Sequence, residues 1–426
     1  MIFDKEIKLR LETVCKKITD GSHYSPKSVT KGYPMASVKN LTYFDISIEE
    51  CRKISKEDYL KLIKNDCKPL KNDVLVAKDG SYLKNIIVIR KERDIVVLSS
   101  IAILRPDLDK INPYYLKYYL LDPESKNRIK QGYASGSALP RIILKDFKKF
   151  GINLRDLKEQ EKIASILSSI DDKIELNNQI NKNLENITQT IFRYWFIDFE
   201  FPNENGEPYK SSGGEMVDSE LGLLPKGWNV RSLNKIANFL NGLAMQKYRP
   251  ENSENYLPVL KIKELKIGKT SKNSDKCSMN IDPKYIVDDG EVVFSWSGSL
   301  EVKLWCGNKV GLNQHLFKVT SANYPKWFYY YWIKHHIEDF RRIAEDKTTT
   351  MGHIKREHLS KAKVLDPGKI FFKKFDGVVN GLIELYINNE KETKYLFQLR
   401  DILLPKLMSG EIRVPINGKV LINKNN

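Results

Sequence analysis

The segment Glu159-Gln-Glu-Lys-Ile163-Ala-Ser-Ile-Leu-Ser-Ser-Ile170-Asp-Asp-Lys173-Ile-Glu-Leu-Asn177 opens the heptad pattern that decides the fold. The a positions are Ile163, Ile170, Asn177, Leu184 and Ile191, and the d positions are Ile166, Lys173, Ile180, Ile187 and Tyr194. A stripe of this length predicts a helix that packs along another helix and does not simply lie on a globular core. We therefore predict a long helix over about residues 159–196.

The same pattern returns near the C-terminus, 212 residues further along the chain. Here the a positions are Phe375, Leu382, Asn389, Leu396 and Leu403, and the d positions are Val378, Leu385, Glu392 and Leu399. We predict a second helix over about 371–407 that packs antiparallel to the first. A single Asn in an apolar seam fixes register, so Asn177 and Asn389 are expected side by side. Two unrelated amphipathic helices are the alternative, but the shared register and offset argue against it.

Composition limits the class of protein. The chain has 426 residues, enough for two or three domains, and a net charge of +17 that favours a polyanionic partner. Charge alone does not separate DNA from RNA or from an anionic membrane. The sequence has no apolar run of ~18 residues, and its start lacks the apolar core of a signal peptide. Five scattered cysteines without a Cys-x-x-Cys pair indicate reduced thiols and a cytoplasmic location.

The segments between the helices are also repeated, in the same order. Residues 33–41 match 257–265, residues 73–81 match 291–299, and residues 113–121 match 325–333. The offset falls from 224 to 212 along the chain, so loop lengths differ while the order of elements holds. This pattern indicates a divergent duplication and not a solenoid, whose repeats are ~20–50 residues long.

Each half is expected to be an α+β globule followed by a long helix. Short β-branched stretches predict strands at Ser37–Leu41, Asp73–Ala77, Asn85–Arg90 and Ser100–Leu104, and at Val259–Ile262, Glu291–Ser295, Val302–Trp305 and His315–Val319. The aromatic stretches that start at Pro113 and Pro325 predict helices, and we assign their rings to packing. A polar, turn-rich linker joins the halves over residues 202–214.

Three motifs resemble one known family. The segment 159–177 resembles the central helix of type I restriction–modification specificity subunits, Leu221-Gly-Leu-Leu-Pro-Lys-Gly-Trp228 resembles the start of one of their target recognition domains, and Leu403-Leu-Pro-Lys-Leu-Met-Ser-Gly-Glu-Ile412 resembles the end of their second helix. The resemblance covers essentially the whole chain. It departs at the N-terminus, where Leu9-Arg-Leu-Glu-Thr-Val-Cys15 starts the first domain without a Pro-Lys-Gly-Trp-like segment.

The resemblance implies an α+β fold with two pseudo-repeated α/β globular target recognition domains, separated by a pair of long antiparallel coiled-coil helices. The implied boundaries are 1–157 for recognition domain 1, 158–197 for helix 1, 198–227 for the linker, 228–368 for recognition domain 2, 369–410 for helix 2 and 411–426 for a C-terminal tail. The implied partners are double-stranded DNA and two modification (methyltransferase) subunits, which restriction subunits can join. The implied chain is non-catalytic, has no cofactor and no metal, and does not contact a membrane.

The expected helices suit a bipartite target. A helix of ~38 residues is ~57 Å long, which spans roughly one and a half turns of duplex. Two recognition domains held by such a spacer would read two half-sites separated by unread bases. Because the two domains differ in sequence, we expect an asymmetric target.

Polar loops that contain glycine are the best candidates for DNA contact, since Gly allows close approach to a phosphate and Lys or Arg adds attraction. The candidates in the first half are His23, Tyr24, Lys39, Lys78, Asp79, Gly80, Ser81, Tyr82, Arg141 and Lys145. Those in the second half are Lys261, Lys263, Trp296, Ser297, Gly298, Ser299, Asn313, Gln314, Lys355 and Arg356. Lys355 and Arg356 follow a Thr-Thr-Thr-Met-Gly stretch, at a place that we match to Arg141 and Lys145.

Two other classes of function stay open at this point. Asp107, Glu124 and Lys126 fit the loose Pro-Asp…Glu-x-Lys pattern of Mg²⁺-dependent nucleases, although that chemistry needs Glu-x-Lys on a strand. A coiled-coil adaptor that does not bind DNA is the other alternative. The sequence contains no phosphate-binding Gly-x-x-x-x-Gly-Lys-Ser/Thr loop, no Asn/Asp-Pro-Pro-Tyr/Phe tetrapeptide and no zinc-type spacing.

Overall fold

Two helices of about forty residues run through the computed structural model, which describes residues 7–79, 83–135, 141–251, 255–345 and 352–415. The chain divides into unit 1 (Met1–Glu175 with Leu396–Asn426) and unit 2 (Leu176–Tyr395), so each long helix contributes one part to each unit. Among the residues described, no helix is long and apolar enough to cross a membrane.

Unit 1 has two small sheets, a strand pair that ties its two ends together, and several helices. Its strands are β1 (Ile7–Arg10), β2 (Cys15–Asp20), β3 (Tyr33–Ala36), β4 (Arg52–Ile54), β5 (Val74–Ala77), β6 (Ile86–Val88), β7 (Val96–Val97), β8 (Ile101–Pro106), β9 (Ala134–Ser135), β10 (Arg141–Ile142) and β11 (Gly151–Leu154). Its helices are α1 (Leu11–Val14), α2 (Lys56–Lys64), α3 (Pro113–Leu121), α4 (Pro123–Gly132), α5 (Leu144–Phe147) and the first part of α6 (Leu157–Phe196). The sheet orders are β2-β8-β5-β6 and β4-β3-β7, and β1 pairs with β11.

Unit 2 repeats this plan. Its strands are β12 (Met216–Val217), β13 (Leu224–Pro225), β14 (Asn229–Ser232), β15 (Asn238–Asn241), β16 (Tyr256–Leu260), β17 (Lys276–Ser278), β18 (Ile286–Val287), β19 (Glu291–Ser295), β20 (Val302–Trp305), β21 (Val310–Leu312), β22 (Leu316–Thr320) and β23 (Lys363–Asp366). Its helices are α7 (Leu233–Ile236), α8 (Ile262–Ile267), α9 (Lys326–Glu345), α10 (Arg356–Lys361) and α11 (Lys369–Ser409), with α11 ending in unit 1. The sheet orders are β15-β22-β19-β20 and β17-β16-β21-β18, and β14 pairs with β23. The predicted α+β fold with a repeated plan is confirmed.

The strands and aromatic helices form where their apolar residues can be buried. All four residues of β5 are buried, and β19 and β20 have the predicted bounds. Helix α3 begins at Pro113, and the side chain of Asn112 caps it by accepting from the backbone N–H groups of Tyr114 and Tyr115. Tyr115 and Tyr118 are fully buried, which agrees with assigning these rings to packing.

The predicted strand at Ser37–Leu41 is wrong. Strand β3 ends at Ala36, and a 3-10 turn covers Val38–Asn40. The side chain of Asn40 accepts a hydrogen bond of 2.9 Å from the backbone N–H of Ser37, which stabilises the turn. Asn readily forms such local bonds to the backbone, and they compete with extended structure.

The helices α6 and α11 pack antiparallel within each unit. The predicted a column is mostly buried on α6, whereas on α11 Phe375 and Asn389 are buried and Leu382, Leu396 and Leu403 are half-buried. Ile163 is fully buried, Ile170 and Leu184 are nearly so, and Phe375 is also buried. In unit 2, the indole of Trp195 packs on the ring of Phe371, with ring centroids 5.7 Å apart.

The predicted d column is largely wrong, because most of its apolar members are exposed on both helices, whereas Glu392 is half-buried and accepts a hydrogen bond from Asn177. Ile166, Ile187 and Tyr194 are 37%, 48% and 43% exposed, and Val378, Leu385 and Leu399 are 55%, 46% and 45% exposed. The second column that lines the contact between α6 and α11, which we call the seam, lies four residues after each a position. The predicted d column lies three residues after each a position. The members of the second column are Leu167, Ile174, Asn181, Thr188 and Trp195 on α6, and Val379, Tyr386, Thr393, Arg400 and Leu407 on α11.

Polar residues in the seam explain the misassigned column. Positions three and four residues after a both lie on the same side of a helix, so apolar character alone selected the wrong one. Asn181, Thr188 and Arg400 are buried because each has a hydrogen-bond partner there. The amide of Asn181 donates to Glu390 at 2.8 Å, and the Thr188 hydroxyl is hydrogen-bonded to that of Tyr331.

The two asparagines that were expected side by side have other partners. In unit 2, Asn177 donates to a carboxylate oxygen of Glu392 at 2.8 Å, and Asn389 donates to the side-chain oxygen of Asn181 at 3.1 Å. Asn177 is therefore bonded about one turn beyond Asn389, at Glu392, and Asn389 is bonded about one turn beyond Asn177, at Asn181. Both remain buried in the seam, at 0% and 9% exposure.

A buried ionic cluster connects α3, α6 and α11 in unit 1. The carboxylate of Asp171 accepts from Lys117 Nζ at 2.8 Å, from the Tyr118 hydroxyl at 2.7 Å and from the Arg400 guanidinium at 3.3 Å. Burial lowers the pKa of Lys117, although the carboxylate of Asp171 acts in the opposite direction. The counterparts 212 residues away are the uncharged Tyr329, Ile383, Tyr330 and Thr188.

The corrected seam can be tested with a matched pair of substitutions on α6. We expect Ile174→Ala to lower the free energy of unfolding by about 2–5 kcal/mol, because Ile174 is fully buried and its loss leaves a cavity. Ile166→Ala should lower it by less than about 1 kcal/mol, since that side chain is already 37% exposed. Urea unfolding of the full chain, followed by circular dichroism, measures both. Equal losses would contradict the corrected column.

Candidate nucleic-acid interface

Three polar segments of unit 1 meet at one place, which we name loop cluster 1: residues 20–24 after β2, residues 78–79 after β5, and Arg141 at the start of β10. The backbone fixes this meeting point. Gly21 N–H donates to the carbonyl of Ile101 at 3.1 Å, and a Cβ on Gly21 would lie only 2.1 Å from the carbonyl oxygen of Val97. Only glycine lets the two strands approach so closely.

Lys78 lies inside loop cluster 1 and does not project into solvent. It is 6% exposed, and its ammonium is ion-paired with the carboxylate of Asp20. The other oxygen of that carboxylate is 3.3 Å from His23 Nε2. This geometry gives Lys78 a role in joining the two loops, and DNA contact by Lys78 and His23 stays a prediction.

Tyr24 and the basic candidates of unit 1 other than Lys78 are exposed. Tyr24 is 55% exposed, and the Lys61 ammonium lies 5.4 Å from the centre of its ring. Lys39 occupies the 3-10 turn whose first N–H, on Val38, donates to Ser100 Oγ at 3.4 Å. Lys78 N–H donates to the carbonyl of the same serine, so Lys39 lies beside loop cluster 1. Lys145 is exposed on α5, and Gly80, Ser81 and Tyr82 lie outside the described residues.

Arg141 combines a fixed backbone with an exposed side chain. It pairs with Asp79 in an antiparallel bridge, and the next residue, Ile142, is buried and donates from its N–H to the Lys78 carbonyl at 2.9 Å. The Arg141 guanidinium donates from Nε to Asp79 Oδ1 at 2.9 Å and from Nη2 to Oδ2 at 3.4 Å. Its side chain is 63% exposed.

Unit 2 builds an equivalent arrangement, loop cluster 2, from residues 241–242, 296–298, 313–315 and 352–353. Gly242 has the same role as Gly21, because a Cβ there would lie 2.3 Å from the carbonyl oxygen of Asn313. Trp296 follows β19, as Lys78 follows β5, and its indole N–H donates to Asn241 Oδ1 at 2.9 Å. Ser297 Oγ is hydrogen-bonded to His315 Nδ1 at 3.0 Å.

The bridge between Ser297 and His353 corrects the match made from sequence. It occupies the place of the bridge between Asp79 and Arg141, so His353 is the counterpart of Arg141. Lys355 and Arg356 lie further along, at the start of α10. Arg356 donates to the Phe239 carbonyl at 3.3 Å, while Lys355 is exposed. The common offset of 212 residues, applied to Arg141, would have identified His353.

The other candidates of unit 2 differ in exposure. Asn313 is 7% exposed, and its side-chain oxygen accepts from the His315 N–H at 3.2 Å. Gln314 Nε2 lies 3.4 Å from His315 Nε2. Lys261 is exposed and ion-paired with Asp275, while Lys263 is exposed on α8. Gly298 donates from its N–H to the Gly352 carbonyl at 2.8 Å, and the Ser299 carbonyl accepts from Ser295 Oγ at 2.6 Å.

Sequence reasoning placed Asp20 in a candidate loop but missed Asn241, His315 and His353 as members of these clusters. Asp20 and Asn241 are the last residues of β2 and β15, which occupy matching places in the sheets of the two units. Their position at matching strand ends was a usable signal. His315 was not recognisable, because its contact with Ser297 depends on the pairing of β19 with β22.

Asp107, Glu124 and Lys126 are not arranged as a Mg²⁺-dependent nuclease site requires. Asp107 follows β8 and lies 3.1 Å from the Lys110 ammonium, which lowers the pKa of its carboxyl. Glu124 and Lys126 lie in the first turn of α4, so the required strand is absent at this place. Within the described ranges, no group of three His, Cys, Asp or Glu side chains is placed to hold a metal ion.

The close approach at Gly242 can be tested against a helical glycine of the same unit. Gly242→Ala should lower the free energy of unfolding by about 1–3 kcal/mol, because the added methyl meets backbone that must shift. Gly377→Ala should raise it by about 0.5–1 kcal/mol, since its Cβ meets open space and alanine favours a helix. Thermal unfolding of the full chain measures both. A neutral Gly242→Ala variant would show that the two strands do not meet closely at this point.

Comparison with known proteins gives a consistent family. The model of the "Type I restriction modification DNA specificity domain" matches twice, at residues 8–186 and 225–385. The type I restriction enzyme MjaIX specificity subunit of Methanocaldococcus jannaschii is 29% identical over 308 residues, which cover 70% of this chain and 68% of that protein. The HindI specificity subunit of Haemophilus influenzae is 24% identical over 402 residues, which cover 80% of this chain and 87% of that protein.

A solved structure shares the fold. The crystal structure of the S subunit of a type I restriction–modification system from M. genitalium has a TM-score of 0.59 and 15% identity, and the match covers 96% of this chain and 97% of that one. The duplicated domain, the two long helices and the relatives agree with the resemblance in the sequence. The chain belongs to the family of type I restriction–modification DNA specificity subunits, and it has two recognition domains.

Proposed function

We propose that this chain is the non-catalytic, DNA-reading subunit of a type I restriction–modification complex, and that each recognition domain reads one half of a bipartite, asymmetric DNA target. The observation that carries the proposal is a loop cluster that is built twice. In both clusters, a glycine lets one strand end lie close to a neighbouring backbone segment. An antiparallel bridge occupies the same place in each, Asp79–Arg141 in one and Ser297–His353 in the other.

The different chemistry of the two clusters supports an asymmetric target. Loop cluster 1 presents Arg141, Asp79 and the nearby Lys39, whereas loop cluster 2 presents Trp296, His315 and His353. A guanidinium, an indole and an imidazole differ in hydrogen-bonding groups, so they favour different base edges. The net charge of +17 adds attraction to the phosphates at both half-sites.

We further propose that two modification subunits dock on the outward faces of α6 and α11. Each helix has an outer apolar column, formed by Ile166, Ile187 and Tyr194 on α6 and by Val378, Leu385 and Leu399 on α11. Apolar side chains that are exposed at heptad spacing favour packing of a further helix. One column on each helix suits one modification subunit per helix, and restriction subunits would join this core.

The proposed target can be tested by base-resolution methylome sequencing. The chain would be co-expressed with the modification subunit encoded beside it, in cells that lack other modification systems. We expect a split, asymmetric motif that disappears when this chain is omitted. Exchange of the domain in unit 2 for that of a relative should change one half-site and leave the other. A continuous or palindromic motif would contradict the bipartite proposal.

The proposed docking faces can be tested by placing charge in the outer apolar columns. Ile187→Lys with Leu399→Lys should abolish co-purification of the modification subunit, because a buried, unpaired ammonium is strongly unfavourable. Asn186→Lys with Gln398→Lys is the matched control, since each is the exposed preceding residue of the same helix. Circular dichroism checks that both variants fold. Survival of the complex in the Ile187/Leu399 variant would refute this docking face.

A further inference from the structure

We infer that Arg141 reads a guanine in the half-site of the first recognition domain, and that Asp79 is the residue that orients it. The inference rests on the proposed function and adds the base class that one named residue selects. It depends on the geometry of the bridge between these two residues and on the hydrogen-bond donors that remain on the guanidinium.

The backbone at Arg141 is held from both sides. Arg141 pairs with Asp79, Ile142 is 1% exposed, and the Ile142 N–H donates to the Lys78 carbonyl. Lys78 is in turn ion-paired with Asp20, which closes the cluster beneath the bridge. The side chain of Arg141 extends from this fixed backbone into solvent, with 63% exposure. A base-reading residue needs this combination of a fixed origin and an exposed tip.

Asp79 leaves the correct donors available. Its two oxygens accept from Nε and Nη2 of Arg141, at 2.9 Å and 3.4 Å. The guanidinium has five N–H donors, so both hydrogens of Nη1 and one of Nη2 remain after these two bonds to the described part of the chain. These form a planar fork on the side away from the carboxylate. Guanine presents O6 and N7 as two neighbouring acceptors in the major groove, and a bidentate arginine is its most common partner.

The pair is too exposed to serve stability. The Arg141 side chain is 63% exposed and that of Asp79 is 24% exposed. Exposed ion pairs contribute about 0–1 kcal/mol to folding, so orientation of the guanidinium is the main effect of Asp79. Lys39 and Lys145 are exposed point charges without a planar fork, which suits contact with phosphate.

The second recognition domain does not repeat this fork. The matching bridge joins Ser297 to His353, and Trp296 stands where Lys78 stands in unit 1. An imidazole presents at most one donor or acceptor toward a base edge from each ring nitrogen, so it cannot form the same bidentate pair. The guanine at this position therefore belongs to one half-site, and the matching base of the other half-site is read by different groups.

The test uses the complex with its modification subunits and duplexes that carry the mapped motif. Each guanine of the first half-site is replaced in turn by 7-deazaguanine, which lacks the N7 acceptor. For the wild-type complex, we expect one position at which the replacement lowers affinity by about 2- to 12-fold, because N7 is one of the two acceptors of a bidentate contact that is worth about 1–3 kcal/mol. In Arg141→Ala, which removes the donors, the native duplex and the substituted duplex should bind equally weakly.

Two further variants separate base reading from other roles. Asp79→Ala should reduce the 7-deazaguanine effect at that position, because the guanidinium loses its orientation. Lys145→Ala is the control: it should weaken binding to all sequences about equally, reduce the salt dependence and leave the 7-deazaguanine effect intact. Circular dichroism checks folding, and binding to the second half-site should be unchanged in every variant.

The outcomes distinguish this inference from the proposed function. A first half-site without guanine would overturn the inference, as would an Arg141→Ala variant that keeps the 7-deazaguanine effect. Uniform weakening on all duplexes by Arg141→Ala would make Arg141 a phosphate contact and would also overturn it. In these cases the split motif itself remains. A complex that shows no split motif would instead refute the proposed function and the inference together.

Discussion

Burial of one face of α6 against one face of α11 is the constraint on which the rest of the chain depends. The buried face consists of the a column and the residues four positions later, so each helix keeps an outer apolar column that this contact cannot cover. Apolar packing alone would tolerate a shift along the helices. The bonds from Asn177 to Glu392 and from Asn389 to Asn181 oppose such a shift, because sliding by one turn would leave buried amides without partners.

The two ends of this seam are stabilised by different physics, although they descend from one repeat. In unit 1, the carboxylate of Asp171 compensates the buried charges of Lys117 and Arg400. In unit 2, the matching positions are the uncharged Ile383, Tyr329 and Thr188, and Trp195, Phe371 and Phe375 pack at the helix ends. A buried ammonium is strongly unfavourable unless it is paired, so the α3 helix of unit 1 suits only the seam end that supplies Asp171.

The sequence was sufficient to predict the strands and helices wherever apolar periodicity is strong, as at β19, β20 and both long helices. It failed where two arrangements have similar local patterns. Positions three and four residues after a lie on the same side of a helix. Because Asn181 and Thr188 are polar, apolar periodicity did not identify the column that contains them as the buried one. The turn at Val38–Asn40 depends on a side-chain bond from Asn40, and the contact of His315 with Ser297 depends on strand pairing. These features need three-dimensional neighbours, which a linear pattern does not contain.

Under the proposed function, the two loop clusters explain how one repeated fold can recognise two different DNA half-sites. Gly21 and Gly242 are set by backbone contacts beneath the clusters, where any side chain would collide with a carbonyl. Arg141 in one unit and His353 in the other occupy matching bridges, Arg141 with an exposed side chain and His353 with its ring beside that of Trp296. Substitution at the bridge therefore changes the hydrogen-bonding groups while the glycine, the sheet and the seam remain. Because the bridge positions are distinct from the glycine and seam positions, the two copies could diverge in chemistry there and keep a common fold.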